Sequence, residues 1–303
     1  MPADELPPVL PETPPAERTA DPPDARDRLD ALPRYVEPDP GAPEVRLQGG
    51  NVGGAVRVGR TVRRPAGPWT PAVHTLLSHV RSRGLDGVPA PLGIDEQGRE
   101  VLEHLPGEVV DLAEVSDARL ASGAAWLARF HDAVADLRPG PVRWRLDDRD
   151  LAPGEIVCHH DATMYNMLVA GPGADDVVGV VDWDVAGPGV PLDDLAMLAW
   201  SGVPFFTDPG AQEGARRLRL LTRAYGEQAA ALGRPAPAAQ AVARHVVVRM
   251  TASADRIAAG QEAGDPGMLN LLRVGEPART RAGVAAYAAR LAALLAALAS
   301  SST

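Results

Sequence analysis

The chain has 303 residues, 45% of them hydrophobic, one cysteine and a formal net charge of −10. That length supports a sizeable core in one or two domains. The single cysteine excludes an internal disulfide, and net acidity without a basic cluster argues against a nucleic-acid partner. All 30 basic residues are arginine, so a Walker-type phosphate loop, which needs lysine, is excluded as well.

Residues 1–40 hold ten acids, four arginines and 11 of the 30 prolines, a composition that predicts a disordered tail. The start, Met1-Pro2-Ala3-Asp4-Glu5, has neither a basic nor an apolar stretch, and no uninterrupted apolar run reaches the ~20 residues of a membrane span. A cytoplasmic protein without a membrane partner is expected. Residues 44–47, 55–58 and 61–64 read as strands. Between the first two, Gly49, Gly50 and Gly53 form a plain hairpin turn if taken alone, and a phosphate-covering loop in the company of the motifs downstream. Thr70-Pro71 predicts a helix start with Thr70 as N-cap, Gly84 predicts its end, and Val73, Leu76, Leu77 and Val80 recur at helical spacing. Strands follow at 91–94 and 100–103, then helices over 117–137, 191–202, 211–232, 236–262 and 278–299. The Ala/Leu-rich end, interrupted by Arg290, reads as a packed terminal helix.

The densest chemistry lies between these helices. A short apolar strand at 155–158 hands the chain to His159-His160-Asp161 and, five residues on, Asn166. The β-branched run at 177–181 then ends in Asp182-Trp183-Asp184, so two acids and an amide converge at one sheet edge. In kinase chemistry one loop Asp takes or orients the acceptor's hydroxyl proton, while a loop Asn and a second Asp hold magnesium. A lone His-x-Asp is common in turns; Asn166 at its offset and the acids ending the next strand support the functional reading. His160 reads as packing, since no third ligand at zinc spacing accompanies the His159-His160 pair. Asp194 reads as a brace accepting backbone hydrogen bonds. Asp184 is divided between a metal site and a solvated turn. Cys158, ending an apolar strand, reads as a buried, inert thiol.

His159-x-Asp161-x-x-x-x-Asn166, Asp182-Trp183-Asp184 and Asp193-Asp194-Leu195-Ala196 resemble the aminoglycoside phosphotransferase family of kinase-like enzymes. Arg57-Val58-Gly59, Thr61-Val62-Arg63-Arg64-Pro65, the 93–100 hairpin and Phe130-His131-Asp132 are similar to an uncharacterised bacterial branch of it. The resemblance covers roughly residues 47–200. It implies a bilobal α+β protein-kinase-like fold: a nucleotide-binding lobe over 41–106 with an antiparallel sheet and one helix, and a mostly helical catalytic and acceptor-binding lobe over 107–303. It further implies ATP or GTP as donor, Mg²⁺, and a small hydroxylated acceptor such as an aminoglycoside or metabolite. Oligomeric state is left open. The site set that the resemblance implies is then His159, Asp161, Asn166 and Asp182, with His159 supporting the loop backbone and Asn166 and Asp182 on the metal. Glu103-His104-Leu105 forms the interlobe hinge, where Glu103 and Leu105 hold the base. The family's strand lysine is missing, and alternation from Val62 makes Arg63 its expected substitute. No acid occurs between Pro65 and Leu85 to pair with it, and His74 occupies roughly that place. This departure motivates a second reading, a catalytically idle kinase-like nucleotide-binding protein. For the acceptor pocket the candidates are Asp255, Arg256, Gln261, Glu262 and Asp265, with Trp200, Phe205 and Phe206 as walls or core.

Overall fold

The computed structural model describes residues 29–39, 41–47, 54–140, 142–146 and 149–300. Short runs rich in β-branched residues, Glu44–Arg46 (β1), Val56–Val58 (β2), Thr61–Pro65 (β3), Pro91–Ile94 (β4) and Arg99–Glu103 (β5), form an antiparallel sheet in the order β1-β2-β3-β5-β4. The register places Val62 opposite Leu102 and Arg64 opposite Glu100. Helix Thr70–Ser82 (α1) buries Ala72, Val73, Leu76, Leu77 and Val80, all at 1% exposure or less, on the period that the sequence shows. Its N-cap is Trp69, not Thr70; the Thr70 hydroxyl turns back and accepts from the Gly67 N–H at 3.0 Å, tying the helix start to the loop before it.

The expected tail does not extend to residue 40. Residues 33–37 lie along the sheet edge: Ile94 N–H donates to the Pro33 carbonyl and Tyr35 N–H to the Ile94 carbonyl, both at 2.9 Å, and Arg34 pairs with Ile94 in parallel. A composition averaged over forty residues hides a short segment with one aromatic that covers an otherwise open edge strand. The approach is close enough to require glycine at 93, where φ is +120° and a Cβ would meet the Pro33 carbonyl oxygen at 2.0 Å. Gly93→Ala is therefore expected to lower stability by about 2 kcal/mol by displacing this segment. Chemical denaturation together with proteolysis at Arg34 checks both parts.

Beyond the small sheet come Glu108–Val109 (β6), Asp117–Ala133 (α2), Ile156–Cys158 (β7), Met167–Val169 (β8), Val177–Val180 (β9) and Gly187–Gly189 (β10). They are followed by Pro191–Gly202 (α3), Ala211–Ala231 (α4), Ala239–Glu262 (α5), Pro266–Asn270 (α6) and Ala278–Ala299 (α7). β6, β8 and β9 form one small sheet, and β7 and β10 a two-stranded ribbon. At two or three residues each, β6, β8 and β10 are too short for alternation to announce them, and α6 is defined by its cap, Asp265, which accepts from the Gly267 and Met268 N–H groups. Trp183 is fully buried against Phe130 of α2, with ring centroids 5.2 Å apart, and its indole donates to the Val180 carbonyl at 3.0 Å. Anchoring this ring in the core turns the flanking Asp182 and Asp184 toward the cleft. Trp200 and Phe205 pack on Tyr287 of α7 as core. α7 is long and apolar enough to cross a bilayer by length and composition. It buries Val284, Tyr287, Leu294, Ala297 and Leu298, and its Arg290 pairs with Asp208 at 2.9 Å.

Candidate active site

β7 ends at Cys158 and delivers His159, His160 and Asp161 into a loop held from below by α3. Asp194, with no exposed surface, accepts the His159 N–H at Oδ2 (2.9 Å) and the His160 N–H at Oδ1 (2.7 Å), and His131 Nε2 lies 3.1 Å from the same Oδ2. Burial alone would push the Asp194 carboxyl up, but His131, His160 and His159 hold it well below the usual carboxylate range. The bracing expected of Asp194 is what the geometry shows. Cys158 is buried, donates to the Val190 carbonyl at 3.2 Å, and its thiol is pushed well up by burial and by Asp194 and Asp193.

Both histidines are occupied structurally. His159 Nε2 meets the Val181 carbonyl at 3.1 Å, so that nitrogen carries the proton, and its Nδ1 accepts the Asp161 N–H at 3.2 Å. Its ring lies 4.4 Å from the Trp183 ring, and burial lowers its pKa. His160 is 3% exposed, bonds the Pro188 carbonyl through Nε2 at 2.9 Å and is held at about 4, first by burial and then by the charge of Arg249. His160 Nδ1 is buried without a hydrogen-bond partner, and the other three ring nitrogens are bonded to backbone groups, which fits support of the loop.

Asp161, Asn166 and Asp182 come together as the spacing predicts. Asn166 Nδ2 donates to Asp161 Oδ2 at 2.8 Å and to the Asp161 carbonyl at 2.9 Å, while Tyr165 donates to Oδ1 at 3.3 Å. The Asn166 carbonyl accepts the Val181 N–H at 2.9 Å, which docks the end of β9 against the loop. Burial, and next the charge of Asp182, push the Asp161 carboxyl up to about 7. His160 and Asp182 both adopt φ of +65°, the left-handed region that β-carbon-bearing residues rarely occupy, so local strain marks both ends of this set.

The strand cation facing this set is Arg64, and the expectation for Arg63 is corrected. Val62 and Arg64 share the face of β3 that meets α1 and the cleft; Arg63 projects from the opposite face. There it ion-pairs with Glu37, lies 4.0 Å from Asp95 and stacks 4.5 Å from the Tyr35 ring centre. Arg64 Nε donates to Glu100, its guanidinium pairs with Asp184, and Nη1 is 3.5 Å from Asp182 Oδ1. Burial opposes the Arg64 charge, but Asp184, Glu100 and Asp182 more than offset it. The acid that helix α1 lacks is supplied by β5: Glu100 sits opposite Arg64 in the ladder, and His74 of α1 reaches it at 3.0 Å. Parity within β3 puts Val62 and Arg64 on one face, but with Arg63 and Arg64 both buried it does not tell which face meets the cleft. Asp184 is ion-paired and largely screened from solvent, its side chain 15% exposed, and Arg145 Nη1 holds its other oxygen at 2.9 Å. Arg145 also binds Asp265 at 2.9 Å and stacks 4.3 Å below Trp69, bridging the loop before α1 to the cap of α6.

Gly49, Gly50 and Gly53 lie outside the described residues. Glu103 turns its carboxylate to Arg81 at 3.2 Å and to the Ala90 N–H at 3.2 Å, and its own N–H is spent on the Ala90 carbonyl. Glu103 and Leu105 line a cavity of about 550 Å³ with Gly87 and Val178, behind the strand connection rather than beside Asp182. Among the acceptor candidates, Asp255 pairs with Arg281 at the surface, and Gln261 holds the carbonyls of Met268 and Glu276.

A family model described as "Phosphotransferase enzyme family" matches residues 136–237. The chain is 33% identical over 196 residues to a protein of Rhizobium leguminosarum bv. trifolii named "Trifolitoxin immunity protein", covering 60% of this chain and 74% of that one. Among solved structures, an amicoumacin kinase in complex with AMP-PNP, Ca²⁺ and Ami aligns with a TM-score of 0.57 at 12% identity, over 88% of this chain and 93% of that one. A choline kinase from Cryptosporidium parvum Iowa II aligns with a TM-score of 0.56 at 9% identity, over 90% and 95%. At these identities the structural likeness establishes a shared kinase-like α+β fold.

Proposed function

Since this chain belongs to the phosphotransferase enzyme family, we propose that it transfers the γ-phosphoryl group of ATP or GTP to a hydroxyl of a small-molecule acceptor. The observation that carries this reading is the Asp161–Asn166 pair beside Asp182, across the cleft from Arg64. Asp161 orients the acceptor hydroxyl and takes its proton as the new oxygen–phosphorus bond forms and the nucleoside diphosphate leaves. A carboxyl held near neutrality suits that exchange. Arg64 turns from Asp184 to the donor's phosphates, where a guanidinium binds bidentately. The amide nitrogen of Asn166 is committed to Asp161, which leaves the Asn166 amide oxygen and the Asp182 carboxylate as an all-oxygen donor pair that suits Mg²⁺. Bound there, Mg²⁺ supplies charge neutralisation on the donor. The same proposal places the protein in the cytoplasm, where nucleoside triphosphates are made. The relative's name as an immunity protein makes a hydroxyl-bearing antibiotic the first acceptor class to test.

Binding without transfer is the second reading. It is favoured by the absence of lysine from the sequence and by the engagement of Arg64 with Asp184 and Asp182. Thermal melting with ATP or GTP, with and without Mg²⁺, tests the site. A metal-dependent rise is expected, reaching about 3 kcal/mol of added stability at a ligand concentration a hundred times Kd. No rise with either nucleotide removes both readings. A rise without phosphoryl transfer to any member of a panel of hydroxylated antibiotics and metabolites selects the second.

A further inference from the structure

His160 and Asp161 share one peptide unit, and that unit is held at both ends. Its N–H, from Asp161, reaches His159 Nδ1 at 3.2 Å. Its carbonyl, from His160, accepts a short hydrogen bond from Nη2 of Arg249, which projects from the buried face of α5. The peptide therefore cannot rotate without losing both contacts, and it directly precedes the Asp161 Cα. His160, on its other side, is in the left-handed conformation, which is sparsely populated for a residue with a β-carbon and must be held by its surroundings.

Arg249 is a poor choice for stability alone. It is 3% exposed, its Nε and Nη1 are buried without a hydrogen-bond partner, and it makes no ion pair with a carboxylate among the described residues. Burial holds the Arg249 pKa below the usual range, and Asp193, Asp194 and Asp161 favour its charge from a distance without offsetting that burial; apolar replacements of such buried charges often leave a protein equally stable or more so. What the side chain gives in return is geometry. It fixes the carbonyl of the peptide that aims Asp161, and it connects α5 to the loop.

We propose that Arg249 is a positioning residue that locks the His160–Asp161 peptide and so aims the Asp161 carboxylate at the acceptor hydroxyl, an inference that rests on the phosphoryl-transfer reading above. A side chain that merely fills the core predicts loss of stability on substitution. A clamp predicts loss of turnover at retained stability.

The test uses the full chain with Mg·ATP and water as the acceptor, reading ADP release, beside amide hydrogen exchange over residues 158–166. For Arg249→Met the expected result is a melting temperature equal to or above that of the parent, kcat lower by about tenfold or more, and KM for ATP changed by less than about threefold. Exchange should quicken at the Asp161 amide and not in α2 or α4. Arg249→Lys, which retains a donor, should recover part of kcat. Unchanged turnover in Arg249→Met overturns the proposal, as does a joint fall in melting temperature and rise in KM. If the parent protein releases no ADP with water, the acceptor panel decides the phosphoryl-transfer reading separately and exchange decides for the clamp: selective loss of protection at Asp161 supports it, and unchanged protection overturns it.

Discussion

Asp161→Asn is expected to lower phosphoryl transfer by about 10²–10⁴-fold while leaving nucleotide binding intact, and to make the protein more stable at pH 8. The two effects share one cause. Burial and the charge of Asp182 push the Asp161 carboxyl up to about 7. A folded-state pKa above the unfolded value of ~3.9 means that the folded protein is penalised wherever the group must ionise. The penalty is complete above about pH 7, fades as pH falls, and is absent below about 4. An amide in its place carries no such charge and can still accept from Asn166 Nδ2. The variant should therefore gain about 2–4 kcal/mol at pH 8, with the gain vanishing toward pH 4. Urea denaturation at pH 8, 6 and 4 measures the stability half, and ADP release the other. Normal turnover would remove Asp161 as the base; a variant less stable than the parent at pH 8 would show that the carboxylate is well solvated.

The second large effect separates neighbouring arginines. Replacing Arg64 with Met leaves Glu100 and Asp184, whose side chains are 2% and 15% exposed, without their shared cation. Breaking a buried pair costs about 3–5 kcal/mol, and because Arg145 stays on Asp184 and His74 on Glu100 the lower end of that range is expected. The nucleotide-induced rise in melting temperature should vanish with it, because no other cation of β3 faces the cleft. Arg63→Met removes a charge from the far side of the same strand. Its partner Glu37 is 26% exposed and can turn to water, so the cost should be about 1 kcal/mol and the nucleotide response should survive. Loss of the response in Arg63→Met with retention in Arg64→Met would reverse this assignment. Arg64→Lys reports on the guanidinium itself: an ammonium cannot span Glu100 and Asp184 with one planar fork, so an intermediate stability is expected.

The difference between these arginines shows where reading the sequence stops. Alternation puts Val62 and Arg63 on opposite faces of β3, and the face that meets α1 and the cleft carries Val62 and Arg64 together. A strand buried on both sides gives no polarity signal to choose between its faces, and Arg63 and Arg64 are both buried. The helix after β3 carries no partner acid; Glu100 arrives from β5 through cross-strand pairing, a long-range contact without a local signature. Similarly, a tail judged by composition conceals the few residues that add to the sheet edge, because their order comes from the edge they cover.

What the sequence determined by itself was local and periodic: the helix α1 and the four long helices after Asp184 to within a few residues, the strands of the small sheet, and the placement of Asp161, Asn166 and Asp182 at the ends of two short apolar strands. These follow from side-chain period, turn chemistry and fixed offsets along the chain. Tertiary structure alone decided which arginine faces the acids, that Asp184 is ion-paired between Arg64 and Arg145, that Trp183 in the core directs its two flanking acids outward, and that Arg249 reaches the loop from a helix 89 residues farther along the chain. Each depends on elements brought together by burial of apolar surface, and burial is a property of the packed chain.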